Sequence, residues 1–299
     1  MNDFVDLSLK VKEAMKSHMP IVALESTIIS HGMPYPTNVQ TAKTLEKIIE
    51  DNGAVPATVA IIKGRIKIGL DDDELEYMAT KKGILKLSRM DLPYAVANGL
   101  NGATTVAATM ICANMVGIKT FATGGVGGVH RGVVDTFDIS ADLFELSKTP
   151  VIVVSAGVKS ILDIPKTLEV LETLGVTVVG YRTDDFPSFY SQKSGSKLYM
   201  HADSPRAVAQ IFKAKLALGL EGGMLVANPI ETSKEIPHET IDKAINTALE
   251  EANRLGIHGK DVTPFLLAHI VEYVPEALEA NVELAKSNAA LAAMISKSI

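Results

Sequence analysis

The sequence predicts an α/β protein: a mixed, mostly parallel sheet flanked by helices on both faces, with a helical C-terminal section. Three observations carry that expectation. Short apolar runs at 21–24, 119–122, 151–155, 176–181 and 223–227 alternate with stretches of helical character, the alternation that builds parallel strands covered on both faces. Beyond residue 237 the chain reads as helices over 238–255, 263–273 and 275–297. No internal repeat, low-complexity tract or linker-like shift in composition interrupts it, so residues 1–299 are expected to form one domain.

Taken in order, residues 5–16 fit a short helix, and the run at 21–24 reads as a buried strand that ends on Glu25, Ser26 and Thr27. An acid at that place sits where an open α/β sheet displays functional groups. Turn formers follow at 29–36, then a helix capped by Thr37 or Asn38 and closed by Gly53. Two strands, 59–62 and 65–69, flank Lys63-Gly64 as a hairpin, and three consecutive acids from Asp71 open a helix through 82. A strand-like ILKL leads into Lys86 and Arg89, two cations in one loop. Residues 102–117 carry almost no charge and read as a helix buried on most sides. Further helices are expected at 165–174 and 205–218. The aromatic residues Phe186, Phe189 and Tyr190 lie among turn formers in 183–197, which fits either a lid or a surface connection with rings tucked onto the core.

With 47% hydrophobic residues and 299 positions, a sizeable core can form without staples. A net charge of −6 leaves no footprint for nucleic acid or an anionic membrane surface. Cys112 is the single cysteine, which excludes an intrachain disulfide and a cysteine-rich zinc site and points to a reducing setting. The first twenty residues lack the basic-then-apolar order of a signal peptide. No apolar run reaches the ~20 residues that span a bilayer. A soluble, cytoplasmic protein is expected.

The richest stretch is 123–159. Its glycines, Gly124, Gly125, Gly127, Gly128 and Gly132, match neither nucleotide-binding spacing: His130 stands where a dinucleotide fingerprint needs glycine, and no Gly-Lys-Ser/Thr follows. They still allow backbone to approach a ligand closely. Asp135, Asp138 and Asp142 follow, the last two at i,i+4 on an expected helix with Ser140 between them. Grouped carboxylates suit a hard divalent cation, and acids also favour helix starts through the macrodipole. His130 and Arg131 fit a satisfied loop pair or pocket groups. Lys159 closes a buried run, where desolvation can supply the neutral amine of Schiff-base chemistry; a solvated lysine just past a strand is the commoner case.

Read together, LESTIISHGMPYP (24–36), KLSRMDLP (86–93), NGATTVAATM (101–110), TGGVGGVHRG (123–132), TFDISADL (136–143) and VSAGVKSILD (154–163) closely resemble the pseudouridine-5'-phosphate glycosidase family. GYRTDDFPSFY (180–190) and MLVANPI (224–230) extend the resemblance over nearly the whole chain. It implies reversible cleavage of the C–C glycosidic bond of pseudouridine 5'-phosphate to uracil and ribose 5-phosphate. It further implies Glu25 as proton donor, Lys159 as covalent nucleophile and Asp138 as ligand of one Mn²⁺ per subunit. Lys86, the backbone at Val106, Ser140, Ala141 and Asp142 become substrate-binding positions, with His130 and Asn281 as further pocket groups, and a homotrimer is expected. The chain departs from the family at YVPEALEAN (273–281) and after NPI at ETSKEIP. A phosphosugar-binding regulator without turnover, and an imine-forming enzyme acting on another sugar phosphate, are the alternatives.

Overall fold

The computed structural model describes residues 3–299 apart from 258, 260 and 261. Its strands are β1 (Val5–Leu7), β2 (Ile21–Leu24), β3 (Val55–Ile62), β4 (Arg65–Ile68), β5 (Leu85–Leu87), β6 (Gly102–Thr104), β7 (Thr120–Ala122), β8 (Ile152–Ser155), β9 (Thr177–Tyr181), β10 (His201–Ala202) and β11 (Met224–Ala227). From β3 the strands β2, β7, β8, β11, β9 and β10 follow side by side, every pair parallel. The long β3 joins two regimes. Its first half pairs with β2, Val22 opposite Pro56, and its second half pairs antiparallel with β4 and β6. Further out, β1 lies parallel to β4 and β5 parallel to β6.

The central strands are buried residue after residue: every position of β7, β8 and β11 and the last three of β2. Successive side chains point to opposite faces, so continuous burial means that both faces of the sheet are covered. Helix Glu276–Ser296 packs on β2, β7 and β8, beside helices Thr37–Asp51 and Pro205–Ala217. Helix Val106–Met115 packs against β2, β3 and β4 and against the short helix Ala141–Leu146.

Most expected elements stand within a residue or two of their places, and four readings need correction. Residues 5–16 are not one helix: Val5–Leu7 joins β4, and Ser8 caps Leu9–Lys16 by accepting from the Val11 N–H. The 102–117 segment splits into β6 and helix Val106–Met115, with Thr105 capping the helix. Its lack of charge reflects burial inside the chain, Met110, Cys112 and Ala113 being fully enclosed. Neither Thr37 nor Asn38 caps its helix; the buried Asn38 amide instead donates to the carbonyls of Ile29 and Ala79. Asp138 lies outside the helix that begins at Ala141, so Asp138 and Asp142 share no helix face.

Candidate active site

Parallel strands deliver their following residues to one edge, and the C-terminal edge of β2, β7 and β8 opens into a cavity of about 500 Å³. All ten expected site residues line it: Glu25, Lys86, Val106, His130, Asp138, Ser140, Ala141, Asp142, Lys159 and Asn281. Asp135 is exposed and does not.

Glu25 follows β2 directly and is 7% exposed. The Ser26 hydroxyl, fully buried, donates to the Val59 carbonyl at 2.6 Å and accepts from the Thr104 N–H at 2.9 Å, which ties the end of β2 to β3 and β6. The Glu25 carboxylate accepts a hydroxyl on each oxygen, from Thr27 on Oε2 and from Thr123 on Oε1. Lys159 arrives from β8, and its Nζ donates to the Gly125 carbonyl at 2.6 Å. Acid and amine thus enter the cavity from strands separated only by β7.

The glycine loop after β7 is clasped on both sides. Val126 N–H donates to the Gly157 carbonyl and Lys159 N–H to the Val126 carbonyl; on the other side Ser140 N–H donates to Gly128 and His130 N–H to Asp138. Close approach is what demands glycine here, since a Cβ on Gly127 would lie 2.2 Å from the Ser140 Oγ and one on Gly125 2.6 Å from the Phe189 ring. Asp142 is 5% exposed, and both carboxylate oxygens are engaged: Oδ1 accepts from Ala107 N–H at 2.9 Å and Oδ2 from Gly127 N–H at 2.8 Å. One carboxylate therefore ties the start of helix Val106–Met115 to the glycine loop.

His130 Nδ1 lies 3.8 Å from Asp138 Oδ2. Burial holds the imidazole below the ordinary histidine range; Asp138 opposes that effect, and Lys86 and Lys159 add to it. Lys86 on β5 faces the same space as Thr105 and Val106 at the start of helix Val106–Met115, where the Ala107 and Ala108 N–H groups are already held by Asp142 and Thr105. Arg89 joins them on the wall, its guanidinium forked onto the fully buried Glu145 at 2.6 and 2.9 Å. Among the described residues, no group of three or more His, Cys, Asp or Glu side chains is arranged to hold a metal.

Several contributors escaped the sequence reading. Thr27 and Thr123 hold Glu25, and the fully buried Asn288 donates to the Thr123 carbonyl at 2.8 Å while accepting from Asn228 at 2.9 Å. Thr263, Pro264 and Leu267 close one side of the cavity from helix Val262–Tyr273. Residues 185–191, the middle of the 183–197 loop, are buried in the core rather than free as a lid. Phe186, Phe189 and Tyr190 are each at most 3% exposed, Phe189 N–H donates to Ala156, and the Tyr190 carbonyl accepts from Ile236. Phe189 also lines the cavity, so the loop supplies a fixed wall.

Comparison with known proteins agrees with this architecture. The family model described as Indigoidine synthase A like protein matches residues 10–298. Proteins named pseudouridine-5'-phosphate glycosidase from Caldanaerobacter subterraneus and Petrotoga mobilis are 57% and 55% identical to the chain. The first match covers 99% of this chain and 96% of its relative, the second 98% and 96%. Among solved structures, the prealnumycin C-glycosynthase AlnA in complex with ribulose 5-phosphate superposes with a TM-score of 0.91 at 36% identity, covering 100% of this chain and 97% of that one. An indigoidine synthase A-like protein from Thermotoga maritima gives 0.90 at 36%, covering 98% and 95%. By sequence along its whole length and by fold, the chain belongs to the Indigoidine synthase A like family, among the enzymes named pseudouridine-5'-phosphate glycosidase.

Proposed function

We propose that the chain reversibly cleaves the C–C glycosidic bond of pseudouridine 5'-phosphate, giving uracil and ribose 5-phosphate through an imine on Lys159. The observation that carries this reading is the delivery of Glu25 and Lys159 into one cavity that also presents Lys86 and the start of helix Val106–Met115. The names of the close relatives support the substrate, and the ribulose 5-phosphate complex of a 36% identical relative supports a pentose 5-phosphate in such a pocket.

Because a carbon of uracil carries the sugar, protonating a nitrogen or oxygen leaving group cannot start the reaction. Electron flow from the uracil ring breaks the bond between C1' and the ring oxygen, and Glu25 gives its proton to that oxygen. The Lys159 amine adds to C1', restoring the uracil ring. Protonation of the uracil carbon then lets the C–C bond break toward it, leaving a ribose imine that water hydrolyses to ribose 5-phosphate and free Lys159. Lys86 and the helix start hold the phosphate, whose binding energy fixes C1' between acid and amine. Ser140, Ala141, Asp142, His130 and Asn281 are substrate contacts in this reading, and Asp142 also holds the Ala107 and Gly127 N–H groups.

A divalent cation, Mn²⁺ by family resemblance and one per subunit, belongs to the same proposal. Asp138 offers a hard carboxylate, 36% exposed on the cavity wall. One carboxylate with water and a substrate phosphate is a set that Mg²⁺-like cations use, so the residues fit such a group. When bound there, the cation supplies positive charge to sugar-phosphate oxygens. A cytoplasmic homotrimer completes the reading; no helix among the described residues is long and apolar enough to cross a membrane. The test is direct: protein, Mn²⁺ and pseudouridine 5'-phosphate are incubated and uracil is measured. Uracil release is expected, and none would remove the substrate assignment. Ribose 5-phosphate binding without turnover would favour the regulator instead.

A further inference from the structure

We infer that Thr27 and Thr123 are positioning residues for Glu25, their two hydroxyls aiming its carboxyl into the cavity and keeping it partnered in both of its protonation states. The inference rests on the reading above, in which Glu25 gives up and regains a proton. A carboxyl at the end of a strand, 7% exposed, has two oxygens to satisfy away from water. Here each has its own hydroxyl, Thr27 on Oε2 and Thr123 on Oε1, which fixes the plane of the carboxyl as well as its position.

The choice of hydroxyls suits a group that changes charge. A backbone N–H can only donate, so it would lose its partner when the oxygen it serves turns into a donor. A threonine hydroxyl donates to the carboxylate and, after a rotation that moves only hydrogen, accepts from the protonated acid. In both states each carboxyl oxygen keeps a hydroxyl partner, and no heavy atom moves between them.

Both hydroxyls stand on backbone that is itself held. Thr123 N–H donates to the Val154 carbonyl at 3.0 Å, so the residue extends the pairing of β7 with β8. Its own carbonyl accepts from the buried Asn288 amide at 2.8 Å, and the Asn228 amide, following β11, donates to the Asn288 oxygen at 2.9 Å and to Ser287 at 3.0 Å. Thr27 opens the turn Thr27–Ser30, immediately after the Ser26 hydroxyl that ties β2 to β3 and β6. The carboxyl is therefore referenced to the ends of β7, β8 and β11 through one threonine, and to β3 and β6 beside the other.

The test uses the full chain with Thr27→Val, Thr123→Val, the double variant and the two Thr→Ser variants. Valine keeps the shape and removes the hydroxyl; serine keeps the hydroxyl. Each valine variant is expected to lose about tenfold or more in kcat for uracil release with KM changed less than about threefold, and each serine variant to recover most of the loss. Unchanged kcat in the double valine variant overturns the inference. A rise in KM alone also overturns it, assigning the hydroxyls to substrate contact. A second arm needs no substrate: in a high-resolution crystal structure of the double variant, the Glu25 carboxyl is expected to be displaced or split between rotamers, and a single unchanged rotamer overturns the inference. Should wild-type protein release no uracil, the substrate assignment fails while this arm still decides the positioning. If Thr123→Val does not fold, Thr27→Val carries both arms.

Discussion

At the floor of the cavity Glu25 and Thr123 are 7% and 5% exposed, whereas on its rim Met90 is 79% and Ile139 45% exposed. Floor side chains are polar and partnered: Glu25 by two hydroxyls, Asp142 by two N–H groups, Lys159 by a carbonyl. Outside the lining, Val134 and Phe137 are 76% and 82% exposed on the segment that leads into Asp138. Sheet geometry and buried hydrogen bonds fix Glu25, Asp142 and Lys159 on the floor, while Met90 and Ile139 on the rim are left facing solvent.

The contrast can be broken from the floor first. Lys159→Ala is expected to lower uracil release on the order of 10⁴-fold or more, with thermal unfolding shifted by no more than about 2 °C. Retained turnover would remove Lys159 as nucleophile. For Glu25→Gln, steady-state kinetics should show kcat down by about 10²–10⁴-fold, the usual worth of a positioned acid; a loss confined to KM would contradict that role. Asp142→Ala leaves the Ala107 and Gly127 N–H groups without acceptors. At ~1–3 kcal/mol each, urea unfolding should show a loss of roughly 2–6 kcal/mol, and an unchanged midpoint would mean that the clasp does not matter to stability.

The exposed surface should respond in the opposite way. Phe137→Ser, on the exposed segment before Asp138, is expected to leave stability within about 0.5 kcal/mol, as exposed substitutions do, while shifting the light-scattering mass of the protein toward smaller species if the proposed homotrimer buries Phe137. An unchanged mass would leave Phe137 outside any subunit contact. The smallest effect belongs to Cys112, whose thiol burial pushes up to about 12. Iodoacetamide at pH 8 should leave the native protein unmodified and label it only after unfolding.

The sequence made the strand ends legible because their signal is local. The apolar run before Glu25 and the one before Lys159 each end where a parallel strand must end, and those two residues stand on the cavity floor. Thr123 and Asn288 were not legible, since their partners lie 98 and 165 positions away and no spacing rule links a threonine to a glutamate across β2 and β7. Asp138 and Asp142 misled for a related reason. Their i,i+4 spacing suggests one helix face, but Ser140 starts the helix between them, leaving Asp138 on the wall and turning Asp142 into a clasp. Turn formers around Phe189 revealed a loop without showing which way its rings point, and that direction separates a lid from a wall.

The central claim is that sugar carbon C1' becomes bonded to Lys159. Borohydride reduction of the protein with ribose 5-phosphate, followed by peptide mass mapping, tests it most directly. One stable ribitol phosphate adduct is expected on Lys159, absent in Lys159→Ala. An adduct on another residue, or none under conditions in which uracil is released, would contradict it.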